Sequence, residues 1–587
     1  MTVCREAITH RPESNFAYAV DETTIQLRLR SKRGDLDDCQ VLVADKFDWP
    51  TRERLEMQLV RRDERFDYWQ VEVEPDHRRL CYAFLLTAGD ETLWFTEWGF
   101  ESADENELPT AGTDRSLHYF EYPFLHAGDV IDPPDWVSDA VFYQIFPERF
   151  AKGDPDIDPD DVEEWGGRPD HDSFFGGDLA GIIDHLDYLD DLGITALYLT
   201  PVFESLSNHK YNTTDYEQID SHFGDTETLS RLVDAAHERG IRVMLDAVFN
   251  HCGRQFEPFQ DVIEHGRESE YVDWFHVHEF PIQFEPKPSY DTFGFESYMP
   301  KLNTQNPEVQ SYLIDVATHW IEETDIDGWR LDVADEVDHQ FWREFRQAVK
   351  EVKPDAYILG EVWHDSRPWL RGDQFDAVMN YPFMYAVDGF LGDGSIDAAT
   401  FANKSNRFLA RYPDQVNEVL FNLLGSHDTA RLRHRYDEDV DTVRLALLLL
   451  LTFRGTPCLY YGDEVGMTGG DDPDCRRPMI WDEARQDRAL HQYVSDLIGL
   501  RTDHEPLRRG SLTFSRDRCG DGVVVYRRSI DSQDRSLTVA INRGDAPISV
   551  PVTGDGEEGT VLFTTDSEVT VGENAIELTG QSGAVWR

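Results

Sequence analysis

The stretch GWRLDV (328–333) is a short apolar run that carries an Arg and an Asp, and a helical segment near 339–352 separates it from AYILGEV (356–362). Both runs are apolar almost throughout, which is typical of strands buried on two faces. A strand, an amphipathic helix and a second strand of this kind predict a parallel pairing with a helical crossover. The stretch therefore indicates an α/β fold.

The same unit recurs on both sides of this stretch. Six more apolar runs lie between residues 140 and 465: AVFYQIF (140–146), ITALYLTPV (194–202), IRVMLDAVF (241–249), DAVMNYPF (376–383), EVLFNLLG (418–425) and PCLYYGDEV (457–465). Helical patterns are predicted at 178–193, 226–239, 307–324 and 487–503. Eight strand–helix units without a reversal of strand order favour a closed (β/α)8 TIM barrel.

The 587 residues exceed what one hydrophobic core holds, so further domains are expected. Alternating apolar and polar residues predict strands at 23–30, 67–73, 80–87 and 92–100, hence an N-terminal β-sandwich over 1–125. The barrel is expected over 126–506, with an insertion domain at 252–303 after its third strand. Strands at 522–529 and 536–543 predict a C-terminal antiparallel β-domain over 507–587.

The charge balance is strongly acidic, with 114 Asp and Glu against 55 Lys and Arg and a formal net charge of −59. In dilute buffer this self-repulsion opposes the compact state. At ~1 M salt the screening length falls to roughly 3 Å. Because the acids lie along the whole chain, they favour a salt-adapted, haloarchaeal-like surface over an acidic binding patch. A nucleic-acid partner is excluded, since phosphate binding needs a positive surface.

The cysteine pattern and the hydropathy of the sequence indicate the cellular compartment. The seven Cys are scattered, odd in number and lack CxxC spacing, which argues against a disulfide framework and against a zinc site. The start, MTVCREAITH, has no apolar signal-peptide segment. The apolar run at 445–451 is too short to span a bilayer. We expect a cytoplasmic protein without a membrane partner.

Polar residues stand where several predicted strands end, and in such a barrel these ends form the active site. A lone Asp there is usually a helix cap, and a lone buried His is usually a satisfied core group. Burying a whole set without function would cost free energy at each group. The set comprises Asp246, Asn250 and His251 after the third strand, Arg330 and Asp332 at the fourth, Glu361 at the fifth, and His427 and Asp428 at the seventh.

Two of these carboxyl groups suit retaining glycoside hydrolysis, which needs one ionised and one protonated group about 5–5.5 Å apart. Arg330 lies two residues before Asp332 and hence on the same strand face, where its charge favours the carboxylate. Glu361 follows an apolar strand, a setting that holds a proton. We expect Asp332 to be the nucleophile, Glu361 the acid/base and Asp428 a third catalytic carboxylate that binds sugar hydroxyls. His251 and His427 would donate hydrogen bonds to those hydroxyls.

These stretches together resemble the α-amylase family of glycoside hydrolases. The matching segments, in the family's order, are DAVFNH (246–251), GWRLDVADEV (328–337), ILGEV (358–362) and LLGSHD (423–428). ALYLTPVF (196–203) and HKYNTTDY (209–216) are also similar. The resemblance implies that His209 and Tyr211 line the subsite of the attacked glucose. It also places Asp246, Asn250, Arg330 and Glu336 among the substrate-binding residues.

Further sequence features resemble one branch of this family, which contains the neopullulanases, cyclomaltodextrinases and maltogenic amylases. They are MPKLN (299–303), ADEVDH (334–339), and an N-terminal segment (10–35) that is similar to the branch's starch-binding-type domain. This resemblance implies cleavage of α-1,4 links in cyclodextrins, maltodextrins or pullulan, with some α-1,6 cleavage and transglycosylation. It further implies a homodimer and no required cofactor.

One loop departs from the family's pattern. KGDPDIDP (152–159) and GGD (176–178) resemble a calcium loop, with matches at Asp154, Asp158, Gly176 and Asp178, but Lys152 and Ile157 replace two Asn. Calcium needs about six or more oxygen ligands. The sequence leaves open whether calcium binds here or whether the Lys152 ammonium takes its place.

Two rival functions remain open at this point. An exo-acting α-glucosidase or trehalose-forming enzyme of the same superfamily would generally lack the N-terminal sandwich and MPKLN. A non-catalytic barrel used for carbohydrate binding or assembly would typically lack Asp332 or Glu361, and both are present.

Overall fold

Eight parallel strands form a closed barrel at the centre of the molecule. The computed structural model describes residues 2–103, 119–515, 518–520, 522–530, 533, 535–552, 560–572 and 575–587. Each barrel strand pairs with its neighbours in chain order, and the first also pairs with the eighth. A bridge from Met379 to Phe421 joins the sixth strand's end to the seventh and closes the ring. The strands are Phe142–Ile145, Ala196–Leu199, Arg242–Ala247, Gly328–Leu331, Tyr357–Gly360, Ala377–Val378, Phe421–Leu423 and Thr456–Tyr460. The predicted (β/α)8 barrel is confirmed.

The strand register explains why the barrel is apolar at one end and polar at the other. Side chains alternate between the barrel interior and the surrounding helices. The interior carries a buried apolar cluster that includes Phe142, Met244 and Tyr357. Two residues further along the first and third strands, the inward positions are Gln144 and Asp246, and Asp246 is paired in register with Arg330. A buried polar layer therefore lies above the apolar one, at the carboxyl end of the barrel.

Helices surround the barrel, and the six described helices with twelve or more residues each begin at an Asp or Asn cap. Those predicted at 307–324 and 339–352 are confirmed as Pro307–Thr324 and His339–Val352, capped by Asn306 and Asp338. The other α-helices are Asp135–Asp139, Pro147–Phe150, Leu179–Asp184, Leu186–Leu192, Thr226–His237, Glu257–His265, Tyr381–Val387, Ala398–Leu409, Asp414–Val419, Leu432–Arg435, Val440–Thr452, Arg488–Asp503 and Glu505–Arg509.

Three predicted elements differ in the structure. The single helix expected over 178–193 is broken at His185, whose ring nitrogen contacts the Gly181 carbonyl oxygen at 2.8 Å and whose ring packs on Trp481. The sixth strand, expected over 376–383, ends at Val378 because a helix with Pro382 in its first turn begins at Tyr381. The first two residues expected in the seventh strand belong to the helix Asp414–Val419.

The N-terminal region is a sandwich of two antiparallel sheets around one apolar core. The strand predicted over 92–100 is correct only as far as Thr96, because the chain turns at Glu97 and Trp98 and returns as the second strand of a hairpin, which begins at Gly99. Residues 104–118 of the predicted domain lie outside the described residues. The strands are Ala17–Ala19, Ile25–Lys32, Asp38–Ala44, Glu53–Glu56, Gln58–Arg62, Phe66–Val73, Leu80–Ala88, Glu91–Thr96, Gly99–Ser102 and Phe120–Tyr122.

Antiparallel strands follow the barrel, as predicted. They form two sheets and pack Val523, Val525 and Ile576 into a small core of their own. Within the described part of the chain, no helix is both long and apolar enough to cross a bilayer. The strands are Ser511–Phe514, Val523–Ile530, Arg535–Asn542, Ile548–Pro551, Val561–Thr564, Thr570–Val571, Ala575–Leu578 and Ser582–Trp586.

The segment between the third strand and the helix Pro307–Thr324 returns to the barrel rim. A bridge pairs His251 with Lys301, and a second pairs Phe275 with Leu302. The MPKLN stretch is thereby held against the end of the third strand. A further small antiparallel pair, Phe203–Ser205 with Thr213–Ile219, projects from the end of the second strand.

Candidate active site

A cavity of about 870 Å³ opens at the carboxyl end of the barrel, a volume that suits a short oligosaccharide. Seven of the predicted site residues line it. They are His209, Tyr211, His251, Asp332, Glu361, His427 and Asp428. The two carboxyl groups expected to do the chemistry therefore lie at the same end of the barrel and in one pocket.

The Arg330 guanidinium, which is fully buried, joins three carboxyl groups beneath this pocket. Its Nη1 donates to both oxygens of Asp246 at 3.0 Å and to Oδ1 of Asp332 at 2.8 Å. Its Nη2 lies 2.8 Å from Oε2 of Glu361, as an ion pair whose angle does not make a hydrogen bond. Because Asp332 and Glu361 contact adjacent nitrogens of one guanidinium, they stand side by side.

The two carboxylate oxygens of Asp332 differ in their contacts. Oδ1 is bound by Arg330, whereas the buried Oδ2 has no hydrogen-bond partner among the described residues. The Arg330 charge lowers the pKa of Asp332, as expected, but burial outweighs it. Burial raises the pKa of Asp332 well above its usual value, and Arg330 does not offset this because its charge is shared with Asp246 and Glu361.

Glu361 is surrounded by donors, so the apolar setting expected for it is also wrong. Its Oε2 accepts the Val333 N–H at 3.0 Å, and its Oε1 accepts the Trp363 indole N–H at 3.1 Å. The Trp363 ring is stacked on Tyr381 with centroids 3.5 Å apart. Val333 has left-handed backbone (φ +46°), which is strained for a β-branched residue. The strained residue is thus also the one whose N–H contacts Glu361.

A chain of hydrogen bonds fixes the other side of the pocket. The Gln144 amide donates to Nδ1 of His427 at 2.8 Å, so the proton of this buried, neutral imidazole resides on Nε2. That nitrogen faces the Tyr211 hydroxyl at 2.7 Å, and the hydroxyl donates to Oδ2 of Asp246 at 2.9 Å. The Tyr211 ring lies nearly parallel to His427, at 8° and 5.3 Å. Tyr211 therefore presents a fixed apolar face to the pocket.

Four predicted substrate-binding residues do not line the pocket. Asp246 and Arg330 lie behind it, and burial raises the pKa of Asp246 to about 6 against the opposing charge of Arg330. Asn250 is buried between His251 and the Lys301 ammonium. Glu336 is half exposed and accepts from the same ammonium at 3.2 Å. These four residues therefore affect the pocket through their contacts with neighbouring side chains, not through direct contact with a ligand.

Several residues that line the pocket were not predicted from the sequence. Arg476 lies 3.4 Å from Asp428 and 3.0 Å from Asp472, and its Nε donates to the His427 carbonyl at 2.9 Å. Phe293 from the insertion stacks on His251 at 4.9 Å. The charged segment GDDPDCRR (470–477) after the eighth strand was an available signal for Arg476 and Asp472. Phe293, in a loop without periodicity, gave none.

In the loop that resembles a calcium site (152–159), the carboxylates are bound by groups of the protein itself. The Lys152 ammonium lies 2.5 Å from Oδ2 of Asp158. One oxygen of Asp178 accepts backbone N–H groups from Gly153 and Asp154, and the other accepts one from Gly181. Across the described ranges, no cluster of three or more His, Cys, Asp or Glu is arranged to hold a metal. The carboxylates of Asp158 and Asp178 are therefore engaged by an ammonium and by backbone N–H groups.

The sequence matches two protein-family models, and their order agrees with this architecture. Residues 144–509 match the α-amylase catalytic domain, and residues 1–126 match the N-terminal Ig-like domain of α-amylases. The chain belongs to the α-amylase family of glycoside hydrolases.

Individual relatives are similar over nearly the whole chain. A cyclomaltodextrinase of Geobacillus thermopakistaniensis (strain MAS1) is 54% identical over 553 residues, which cover 93% of this chain and 92% of the relative. The intracellular maltogenic amylase of Bacillus subtilis (strain 168) is 45% identical over 92% of this chain and 91% of its own length. A solved cyclomaltodextrinase structure superposes with a TM-score of 0.92 at 48% identity, covering 99% of this chain and all of the other.

The Arg330 contacts generate a prediction. Lysine is a single point donor and cannot reach three carboxyl groups from one position. We expect Arg330→Lys to lower kcat on a chromogenic α-maltoside by roughly 100-fold, because the charge that orders Asp332 and Glu361 is displaced. The control is Arg343→Lys, which alters an exposed ion pair with Asp373 and should leave kcat unchanged. Wild-type kcat in Arg330→Lys would contradict the role given to the guanidinium.

Proposed function

We propose that the protein is a retaining glycoside hydrolase that cleaves α-1,4-glucosidic bonds in cyclodextrins and maltodextrins. The observation that carries the proposal is the pair Asp332 and Glu361 on one buried guanidinium, inside a pocket that also contains Tyr211, His427 and Asp428. Two adjacent carboxyl groups at a sugar-sized cavity are what double displacement at an anomeric carbon requires.

The geometry supports a role for each group. Oδ2 of Asp332, which has no hydrogen-bond partner among the described residues, is the oxygen that bonds to the anomeric carbon. Glu361 delivers its proton to the glycosidic oxygen as the carbon–oxygen bond breaks. In the second half, water attacks the same carbon, Glu361 takes the water's proton, and the Asp332 ester bond is released. The positive charge that develops on the sugar in the transition state is stabilised by the Asp332 carboxylate.

Tyr211 and Asp428 are suited to holding the sugar. The Tyr211 ring offers an apolar face, and the partly exposed Asp428 offers carboxylate oxygens to hydroxyl groups. His209 and His251 have their pKa values lowered to about 3 by burial, so they are neutral and can donate or accept without a charge change. His251 Nε2 has no hydrogen-bond partner among the described residues and remains available for a sugar hydroxyl.

The substrate class is inferred from the relatives. The similar proteins carry the names cyclomaltodextrinase and maltogenic amylase, and the N-terminal Ig-like domain and MPKLN are both present. These features favour cyclic or short maltodextrins over an exo-acting α-glucosidase or a trehalose-forming enzyme. Pullulan, α-1,6 cleavage and transglycosylation are secondary expectations of the same proposal.

A product profile tests the function. We expect the wild-type protein to open β-cyclodextrin faster than it hydrolyses starch, with the new reducing end appearing first as the α-anomer in proton NMR. Asp332→Asn should lower turnover by at least about 10⁴-fold. Asp187→Asn, the same change on an exposed helix, is the control. Glucose as first product with cyclodextrins untouched would contradict the substrate assignment, and an initial β-anomer would contradict retention.

We also propose that Lys152 replaces calcium in the loop at 152–159. The Lys152 ammonium neutralises the Asp158 carboxylate, and it does so from the position that a calcium ion would otherwise occupy. The wild-type melting temperature should therefore be unchanged by excess EDTA or by added calcium. Lys152→Asn should melt a few degrees lower, because Asp158 loses its cation. A wild-type melting temperature that falls on chelation would contradict this proposal.

The acidic surface supports a proposal of salt adaptation. With a net charge of −59, we expect the melting temperature and activity to rise steeply between dilute buffer and ~1 M NaCl as repulsion is screened. Sucrose of equal osmolality controls for excluded-solute stabilisation and should have a smaller effect. Full activity after long dialysis into low-salt buffer would contradict the proposal.

Finally, we propose a cytoplasmic homodimer. The intracellular amylase of Bacillus subtilis supports the compartment, as do the buried unpaired thiols of Cys39, Cys252 and Cys458. The dimer rests on resemblance to the branch. Light scattering should give twice the chain mass of 67.7 kDa, and cell fractionation should find the activity in the cytoplasm.

A further inference from the structure

Lys210 lies between two pocket residues but does not line the pocket. His209 and Tyr211 face the cavity, whereas the Lys210 side chain points away from it and is only 1% exposed. The three residues belong to the loop that joins the strands Phe203–Ser205 and Thr213–Ile219. Lys210 has left-handed backbone (φ +61°), which L-residues other than Gly, Asn and Asp rarely adopt. Something in the surrounding structure must hold this conformation.

The contacts of the Lys210 ammonium stabilise this backbone conformation. Its Nζ lies 2.7 Å from Oδ2 of Asp220, which is equally buried, and it donates to the Ser205 carbonyl at 3.1 Å. The rings of Phe223 and Phe174 lie 5.0 and 5.7 Å from Nζ. A buried charge in such a setting is tolerated only with its partner, so the loop is bound to wherever Asp220 is fixed.

Asp220 is fixed to the end of the second barrel strand. Its carboxylate accepts the N–H groups of Ser205 and His222, each at 3.0 Å, and its own N–H donates to the Val202 carbonyl at 2.9 Å. The ion pair therefore connects the middle of a projecting loop to the barrel.

The contacts of Tyr211 depend closely on this placement. Its hydroxyl must meet both Asp246 at 2.9 Å and His427 at 2.7 Å, with its ring within 8° of the His427 plane. A small rotation of the loop would break one of these contacts. We propose that Lys210 is a positioning residue: its buried ion pair with Asp220 sets the loop that presents His209 and Tyr211 to the sugar. This inference rests on the proposed function of the pocket.

The test compares two ammonium deletions. Lys210→Met removes the charge with little change of volume, and Lys350→Met does the same to a mostly buried pair with Asp376 at the opposite end of the barrel. Both should lower the melting temperature. Only Lys210→Met should lower kcat/KM on β-cyclodextrin, by roughly 100-fold, because displacement of substrate-contacting groups is costly to the rate.

A second background distinguishes positioning from general loss of stability. In a His209→Ala/Tyr211→Ala protein, Lys210→Met should lower kcat/KM by no more than about 3-fold further, since effects of coupled residues are not additive. An equal loss in both backgrounds, or wild-type kcat/KM in Lys210→Met, would overturn the role of Lys210. Should Lys210→Met fail to fold, Asp220→Asn gives the same comparison and is judged by the same two outcomes. A wild-type protein that turns over no α-glucan would overturn the proposed function instead.

Discussion

The buried guanidinium of Arg330 is the constraint on which the site depends. It lies within 3.0 Å of carboxylate oxygens from the third, fourth and fifth strand ends, namely Asp246, Asp332 and Glu361. Removing several charges from water is costly unless they are paired with good geometry. The parallel register that sets Asp246 opposite Arg330 supplies this geometry, so the barrel itself determines where the two reacting carboxyl groups stand.

This arrangement also sets the electrostatic environment of the nucleophile. One cation is shared among three acids, and burial keeps the pKa of Asp332 raised. Positive charge that develops at the anomeric carbon is stabilised by the adjacent Asp332 carboxylate, more strongly in the transition state than in the bound substrate. The site is therefore complementary to the transition state rather than to the free substrate. Tyr211, held by Asp246 and His427, belongs to the same network.

Much of the fold was predictable because it follows from local periodicity. Apolar strands alternating with capped helices indicated the barrel, and the polar residues at strand ends indicated its active end. Partners that depend on tertiary contacts were not predictable. Spacing placed Arg330 next to Asp332, but nothing in the sequence showed that it also binds Asp246 and Glu361. Likewise, the break at His185 depends on a side-chain contact with a carbonyl and on Trp481, which is distant in sequence.

In the proposed mechanism, Asp332 forms a covalent bond with the sugar while Glu361 transfers protons. The most direct measurement is intact-protein and peptide mass spectrometry after exposure to a 5-fluoro-α-glycosyl fluoride, whose slow second step allows the intermediate to accumulate. The account predicts an added mass of one glycosyl group on the peptide containing Asp332, absent from the Asp332→Asn protein. A label on another carboxylate, or turnover of the reagent with no covalent adduct, would contradict it.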